Sequence, residues 1–428
     1  MLSRFRDLRD LIENWALVLL VVLIALTPVS SKAINLAWIL VVFMVIWLLA
    51  RSLRAKDFPQ DSHVLRPALA LLAAFFTCGL LLKIGMQMFW GEPVRGVAFE
   101  LTAAASAGAS WAMVAHWRTK HLHLSLLAGA LLVASGLAGL QAYGYTYSGH
   151  AGPTNAVNWG AGLALFMCIA LAISVHGQAN SRDKWMVVLS LLGLSLALIV
   201  AGRRGAFFAI LWAVAWGGYF WLRGAHVRGS LSIRVWAPLL VVLSTMTIVL
   251  ASKEPLPKPI QRIVSTVEEV SLRLGGHHGS GDVSSGTLGP RFYQYEQGMK
   301  AGAASPVWGL GAEERSRLIK IAEADLADAL FHMHNEYLQA WVAYGIPGLL
   351  GVLCFPVGLV VAGWKLRRKA QPLSLALTGL GSVHFVSGLT NVNTFHNYYS
   401  SVFAVCVVIS VLFLPCKLRN PELSAEEI

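Results

Sequence analysis

The chain reads as long apolar runs parted by short polar breaks. A membrane-crossing helix needs about 20 mostly apolar residues. By that rule twelve spans are expected, centred on residues 15–29, 34–50, 67–87, 97–117, 122–142, 156–176, 185–202, 205–222, 235–251, 338–363, 373–391 and 398–416. Only Gly202-Arg203-Arg204 separates the seventh from the eighth, which demands a tight hairpin. The fourth and eleventh runs are rich in Gly, Ala and Ser, a composition that lets helices approach closely. Ahead of the first run, Leu2, Phe5, Leu8, Leu11 and Ile12 recur at helical spacing beside Arg4, Arg6 and Arg9, predicting a short amphipathic helix on a membrane surface. Because a second span follows the first at once, the first is expected to remain as a helix and not to be cleaved as a signal.

One long polar stretch, residues 252–335, interrupts this pattern. Pro255, Pro257 and Pro259 stiffen its entry. An apolar stripe (Ile260, Ile263, Val264, Val267, Leu274) predicts a helix along the membrane face, and six glycines follow between Gly275 and Gly289. A second helix is expected from Pro290–Arg291, with proline at the first helical position. Ser305 to Gly311 reads as a turn, and a third helix as Glu313 to Leu330. The expected organisation is therefore nine spans and an amphipathic segment (1–251), a mostly helical extramembrane segment (252–335), and three spans with a short tail (336–428). The fold class is an all-α polytopic membrane protein.

Composition agrees with the pattern. Of 428 residues, 56% are hydrophobic and only 13% charged, half the share of about 25% usual in soluble domains. The net charge of +12 raises the question of nucleic acid, but residues 252–335 hold nine Lys/Arg against ten Asp/Glu, so the excess lies elsewhere. With the N-terminus inside, the inner segments carry 20 Lys/Arg and the short outer loops four: Lys32, Arg95, Arg203 and Arg204. That bias predicts cytoplasmic termini and an extracytoplasmic 252–335 segment; a nucleic-acid partner is not indicated. The five cysteines show neither CxxC nor zinc spacing. His277–His278 lacks an evident third ligand, and Asp325 and Asp328 read as a solvated helix face. No metal or cofactor is expected.

The segment closes on Phe331-His332-Met333-His334-Asn335-Glu336-Tyr337-Leu338-Gln339 and runs straight into the tenth span. His334-Asn335, nine residues, then Gly345-Ile346-Pro347-Gly348 resembles the H-[NSQ]-x9-G-x-x-[GTY] signature of the O-antigen ligase superfamily, which includes O-antigen polymerases and protein O-oligosaccharyltransferases. Arg204-Gly205 opening a span, Arg291 followed by aromatics, and Pro306-x-x-Gly309-x-Gly311 are similar to family features as well. Arg203 departs from the family, which usually has a small residue before Arg-Gly.

The resemblance implies a GT-C-like bacterial inner-membrane glycosyltransferase with its active site facing the periplasm. It would move a preassembled glycan from undecaprenyl diphosphate to lipid A–core, with membrane lipid around it. A polymerase would use a second lipid-linked repeat as acceptor, and a protein O-oligosaccharyltransferase a Ser or Thr. The charge growing on a departing diphosphate needs cations, and guanidinium grips phosphate oxygens in bidentate fashion: Arg204, Arg291 and Arg203 are the candidates. The acceptor hydroxyl needs a base, for which His334 is the first choice and His332 its competitor. A helix end and nearby arginines are expected to keep that imidazole neutral. Direct displacement inverts the anomeric centre. Asn335 is expected to support the site or to cap the tenth span; Tyr337 and Gln339, to line the site or to pack. Lys83 and Glu100, ionisable residues within spans, either pair with each other or leave Lys83 free to meet the diphosphate. The competing class is a transporter or lipid flippase, which would place more charge at mid-membrane.

Overall fold

The computed structural model describes residues 15–52, 62–116, 122–148, 156–176, 179–201, 289–326 and 332–414. Every element in them is helical: α1 (Trp15–Leu26), α2 (Ser31–Ser52), α3 (Ser62–Phe89), α4 (Ala98–His116), α5 (Leu122–Ser148), α6 (Ala156–Ser174), α7 (Ser181–Ala201), α8 (Gly289–Ala304), α9 (Gly311–Leu326), α10 (Glu336–Leu366), α11 (Gln371–Gly388), a 3-10 turn (Asn393–Phe395) and α12 (Asn397–Phe413). Helices thus stand at ten of the twelve expected positions. The runs at 205–222 and 235–251, the N-terminal amphipathic segment and the stripe at 260–274 lie outside the described residues. Among the described residues four stretches are long and apolar enough to cross a membrane: Leu65–Phe89, Leu124–Gly144, Val157–Ser174 and Glu336–Leu366.

Apolar character on all sides drives a helix to the centre of a bundle. α6 shows this: residues 158–170 are buried without interruption, and it packs against α7, α11 and α12. α4, rich in Ala, Gly and Ser, lies against α2, α3 and α12, as small side chains permit. α10 runs between α3 and α11. There a carbon added at Gly79 would lie 2.7 Å from the carbonyl oxygen of Gly351, so the two backbones nearly touch. Several polar groups inside the bundle are paired: His384 Nδ1 meets the Tyr399 hydroxyl at 3.0 Å, and the amide of Asn391 donates to Asn158 Oδ1 at 2.7 Å. Lys83 and Glu100 form an ion pair of 2.7 Å between α3 and α4; of the two alternatives for Lys83, the structure shows the pairing.

α8 and α9 form a smaller layer over the N-terminal half of α10, held by a cluster of Ile319, Met333, Leu338 and Val342. α8 begins one residue before Pro290, as its proline predicts. The next helix departs from expectation at its start: α9 begins at Gly311 and is helical to Leu326, and the expected end at Leu330 lies outside the described residues. Its earlier start has a local cause, since Glu92 Oε1 accepts from the Ala312 N–H and so serves an orphan donor of the first turn.

The joint between this layer and the bundle is made of main chain. α10 kinks at Tyr344 (φ −133°, ψ 15°) and Gly345 (φ 63°, ψ −151°), three and two residues before Pro347, whose ring and missing N–H break the helical ladder there. The Ile346 N–H turns outward to the carbonyls of Pro306 and Val307, both at 3.1 Å. That leaves the Val342 carbonyl without its usual partner, and the Leu310 N–H supplies one at 2.9 Å. Gly345 must be glycine twice over. Its conformation is open to essentially no other residue, and an added carbon would sit 2.1 Å from the Val307 carbonyl oxygen. Gly309 (φ 74°) approaches Ala343 as closely from the other side.

Candidate active site

Residues 332–335 join this layer to α10. Asn335 is extended (φ −148°, ψ 113°), and its side-chain oxygen accepts from the Leu338 N–H at 2.9 Å, a regular N-cap. The preceding residue, His334, takes a left-handed conformation (φ 50°), the only described non-glycine residue with positive φ. Such strain persists where surroundings impose it, and here they do. The Tyr295 hydroxyl of α8 lies 2.9 Å from the His334 carbonyl and 3.2 Å from that of Leu389. The His334 N–H donates to His332 Nδ1 at 3.2 Å. Gln294 of α8 holds the His332 carbonyl, and Gln339 Oε1 takes the Met333 N–H at 3.2 Å.

Three imidazoles gather as a result. The rings of His332 and His334 stand edge to face with centroids 4.3 Å apart, and His396, on the loop before α12, is 6.3 Å from His332. Burial pushes His334 down to about 3, helped by His332 and by the charge of Arg291. His332 falls to about 4 from burial, with His396 and Arg291 adding to it. Both are neutral at physiological pH. The sequence argument expected a helix end and arginines to do this; burial is the larger cause, and Arg291 contributes as foreseen.

Of the sequence candidates, the structure brings His334, His332, Asn335, Gln339 and Arg291 together. Tyr337 is turned into the bundle, where its hydroxyl donates to the Phe385 carbonyl at 3.1 Å and its ring packs on Gly388. Arg203 and Arg204 lie outside the described residues. Sequence reasoning missed His396 and Tyr295, which reach the site from distant parts of the chain. It also passed over Glu336, whose carboxyl is buried immediately behind the Asn335 cap. A histidine in a short loop between spans and a tyrosine about one turn from a candidate arginine were the available signals.

The class is thereby defined: a helical membrane protein whose polar site forms where the α8–α9 layer meets the start of a helix long and apolar enough to cross a membrane. Comparison with known proteins agrees. Residues 185–353, from α7 through the kink of α10, match the family model described as O-Antigen ligase. Over 146 residues the chain is 28% identical to the exopolysaccharide production protein ExoQ of Rhizobium meliloti (strain 1021), covering 31% of this chain and 33% of that protein. The chain thus matches about a third of this relative's length. Both findings support the O-antigen ligase superfamily for this multi-pass membrane protein.

Proposed function

We propose that the protein is a glycosyltransferase of the inner membrane that transfers a preassembled glycan from undecaprenyl diphosphate to a sugar hydroxyl of lipid A–core. Its 252–335 segment and active site face the periplasm, and both termini are cytoplasmic. The observation that carries this reading is the strained, neutral His334 held beside Arg291 at the start of a membrane-crossing helix. A neutral imidazole there can accept the acceptor's proton. Arg291 and Arg204, with Arg203 beside it, hold the diphosphate and meet the charge that grows on its departing oxygen. The arriving diphosphate raises the basicity of His334 by its negative charge, so the base strengthens only when donor is present. Attack on the anomeric carbon opposite the leaving group inverts it, and the arginines supply the positive charge without a metal ion.

A second reading differs only in the acceptor. The ExoQ relative is named for exopolysaccharide production, which favours transfer to a second lipid-linked repeat, as in a polymerase. One experiment separates them. Purified protein in liposomes is given the lipid-diphosphate glycan with lipid A–core, with a second lipid-linked repeat, or with a Ser/Thr peptide, in the presence of chelator. Inverted product on lipid A–core is the expected result. Product on the repeat replaces ligase by polymerase, product on the peptide replaces it by protein glycosylation, and retained configuration overturns the displacement. No product on any acceptor, with folded protein and matched substrates, moves the protein to the transporter class.

A further inference from the structure

Behind the His334 loop is a polar cavity that the chemistry above does not use. It measures about 60 Å3 and is lined by Lys83, Glu100, Arg315, Glu336, Tyr344 and Thr394 among others, room for on the order of two water molecules. Glu336 is 2% exposed; Thr394 approaches its carboxylate through both side chain and main chain, but neither oxygen has a hydrogen bond of ordinary geometry. Glu100, 1% exposed, gives Oε1 to Lys83 at 2.7 Å and leaves Oε2 unpartnered. Buried acceptors short of donors are costly, and each calls for an explanation. Gln339 holds the Met333 N–H of the histidine loop and also lines this cavity, so loop and cavity share a wall.

The transfer reaction needs such a place. As the acceptor oxygen bonds to the anomeric carbon, the carbon–oxygen bond to the diphosphate breaks and its electron pair leaves with the phosphate. The hydroxyl proton passes to the ring nitrogen of His334. Once the diphosphate product departs, the buried imidazole returns to weak basicity and does not hold that proton, which must move on before the next turnover. We propose that Glu336 is its destination: the proton leaves His334, crosses water in the cavity, and converts the Glu336 carboxylate to a carboxylic acid while the imidazole returns to neutral. The groups facing Glu336 are Lys83 from α3, Glu100 from α4, Arg315 from α9, Tyr337 and Tyr344 from α10, Thr394 from the 3-10 turn and Tyr399 from α12. Lys83 and Arg315 are matched by Glu100, Glu336 and, beside Arg315 and Tyr344, Glu92, so one added proton does not meet an already positive site. Glu336 acts through His334 and does not touch the sugar. This inference rests on the glycan-transfer reading.

The test uses the full-length protein in liposomes, with a lipid-diphosphate glycan and whichever acceptor the wild type uses. Glu336→Gln keeps the shape and removes the ability to take a proton. The expected result is a kcat lower by at least about tenfold with donor KM within about twofold. With it should come a larger solvent deuterium isotope effect and a kcat that recovers as pH rises and the solvent takes over the proton. Glu336→Asp should recover part of the rate. Wild-type kcat and pH profile in Glu336→Gln overturn the proposal. So does a loss equal at every pH with an unchanged isotope effect, which is what a packing role gives. Should Glu336→Gln fail to fold by thermal unfolding in detergent, the pH profile of Glu336→Asp decides: a steeper rise with pH supports the relay, and the wild-type profile overturns it. The wild type in the same vesicles is the control: without wild-type transfer the glycan-transfer reading fails, whereas transfer with a silent Glu336 substitution sinks the relay alone.

Discussion

α6 and α9 are of similar length, 19 and 16 residues, and are held by opposite means. α6 is enclosed by apolar side chains along nearly its whole length, with Leu163, Phe166, Met167 and Ile169 at zero exposure. α9 buries one hydrophobic residue, Ile319, among its described side chains. That residue joins the Met333–Leu338–Val342 cluster, and Glu92 at the first turn and the Gly309–Gly345 joint beside it fix the rest. Packing of the first kind is non-directional and tolerates adjustment. Hydrogen bonds and backbone contacts of the second kind specify angle and register. The histidine loop hangs between the two, so its geometry is set by the directional contacts while the bundle supplies a rigid floor.

Substitutions can take the two regions apart. The largest effect is expected from His334→Ala, which removes the base and should lower transfer by roughly 10²–10⁴-fold while leaving thermal unfolding nearly unchanged; a variant that retains activity refutes the assignment. Gly345→Ala should come next. It adds strain of about 1–3 kcal/mol and a clash with Val307, so α8–α9 should lift off α10. Proteolysis within 289–326 should accelerate while far-UV helicity stays, and equal protection would show that the joint is not what holds the layer.

Acid provides a third separation. His332 and His334 have folded-state values below their ordinary one, so the unfolded chain binds more protons between about pH 6.5 and about 3. Their contribution to stability is therefore full above pH 6.5 and is lost as pH falls through that window. Unfolding midpoints measured from pH 7 to 4 should fall, and less steeply in a His332→Ala/His334→Ala protein. The smallest effect is expected from Asn335→Ala, about 1 kcal/mol from loss of the cap. It should appear as a lowered unfolding midpoint and a modest fall in transfer, whereas no change in the midpoint would mean that water replaces the cap.

What the sequence revealed follows the same division. Helices forced by hydropathy were legible to within a few residues: 398–416 was expected where α12 runs Asn397–Phe413. The Asn335 cap was legible because an Asn before an apolar run caps it wherever the run lies, whereas His334 was singled out through the family signature alone. The left-handed His334 was not, because it depends on Tyr295, 39 residues away. Neither was the early start of α9, which depends on a carboxylate 220 residues distant in sequence. Lys83 and Glu100 were visible as a pair of options, and only their 2.7 Å separation chose between them. Periodicity reports what a segment buries; it carries no information on which distant hydroxyl or carboxylate will meet a given turn.

The Gly309–Gly345 joint has a consequence for how such a protein can change over time. The seam is closed mainly by peptide groups, with the Trp341 and Trp90 indoles donating to the Pro306 and Trp308 carbonyls, and it demands the absence of a β-carbon at two positions. Surface residues of α8 and α9 are then free to vary without disturbing the hinge line that aims them at the histidine loop. Lineages can rewrite the outer face of this layer while inheriting the angle at which it is presented.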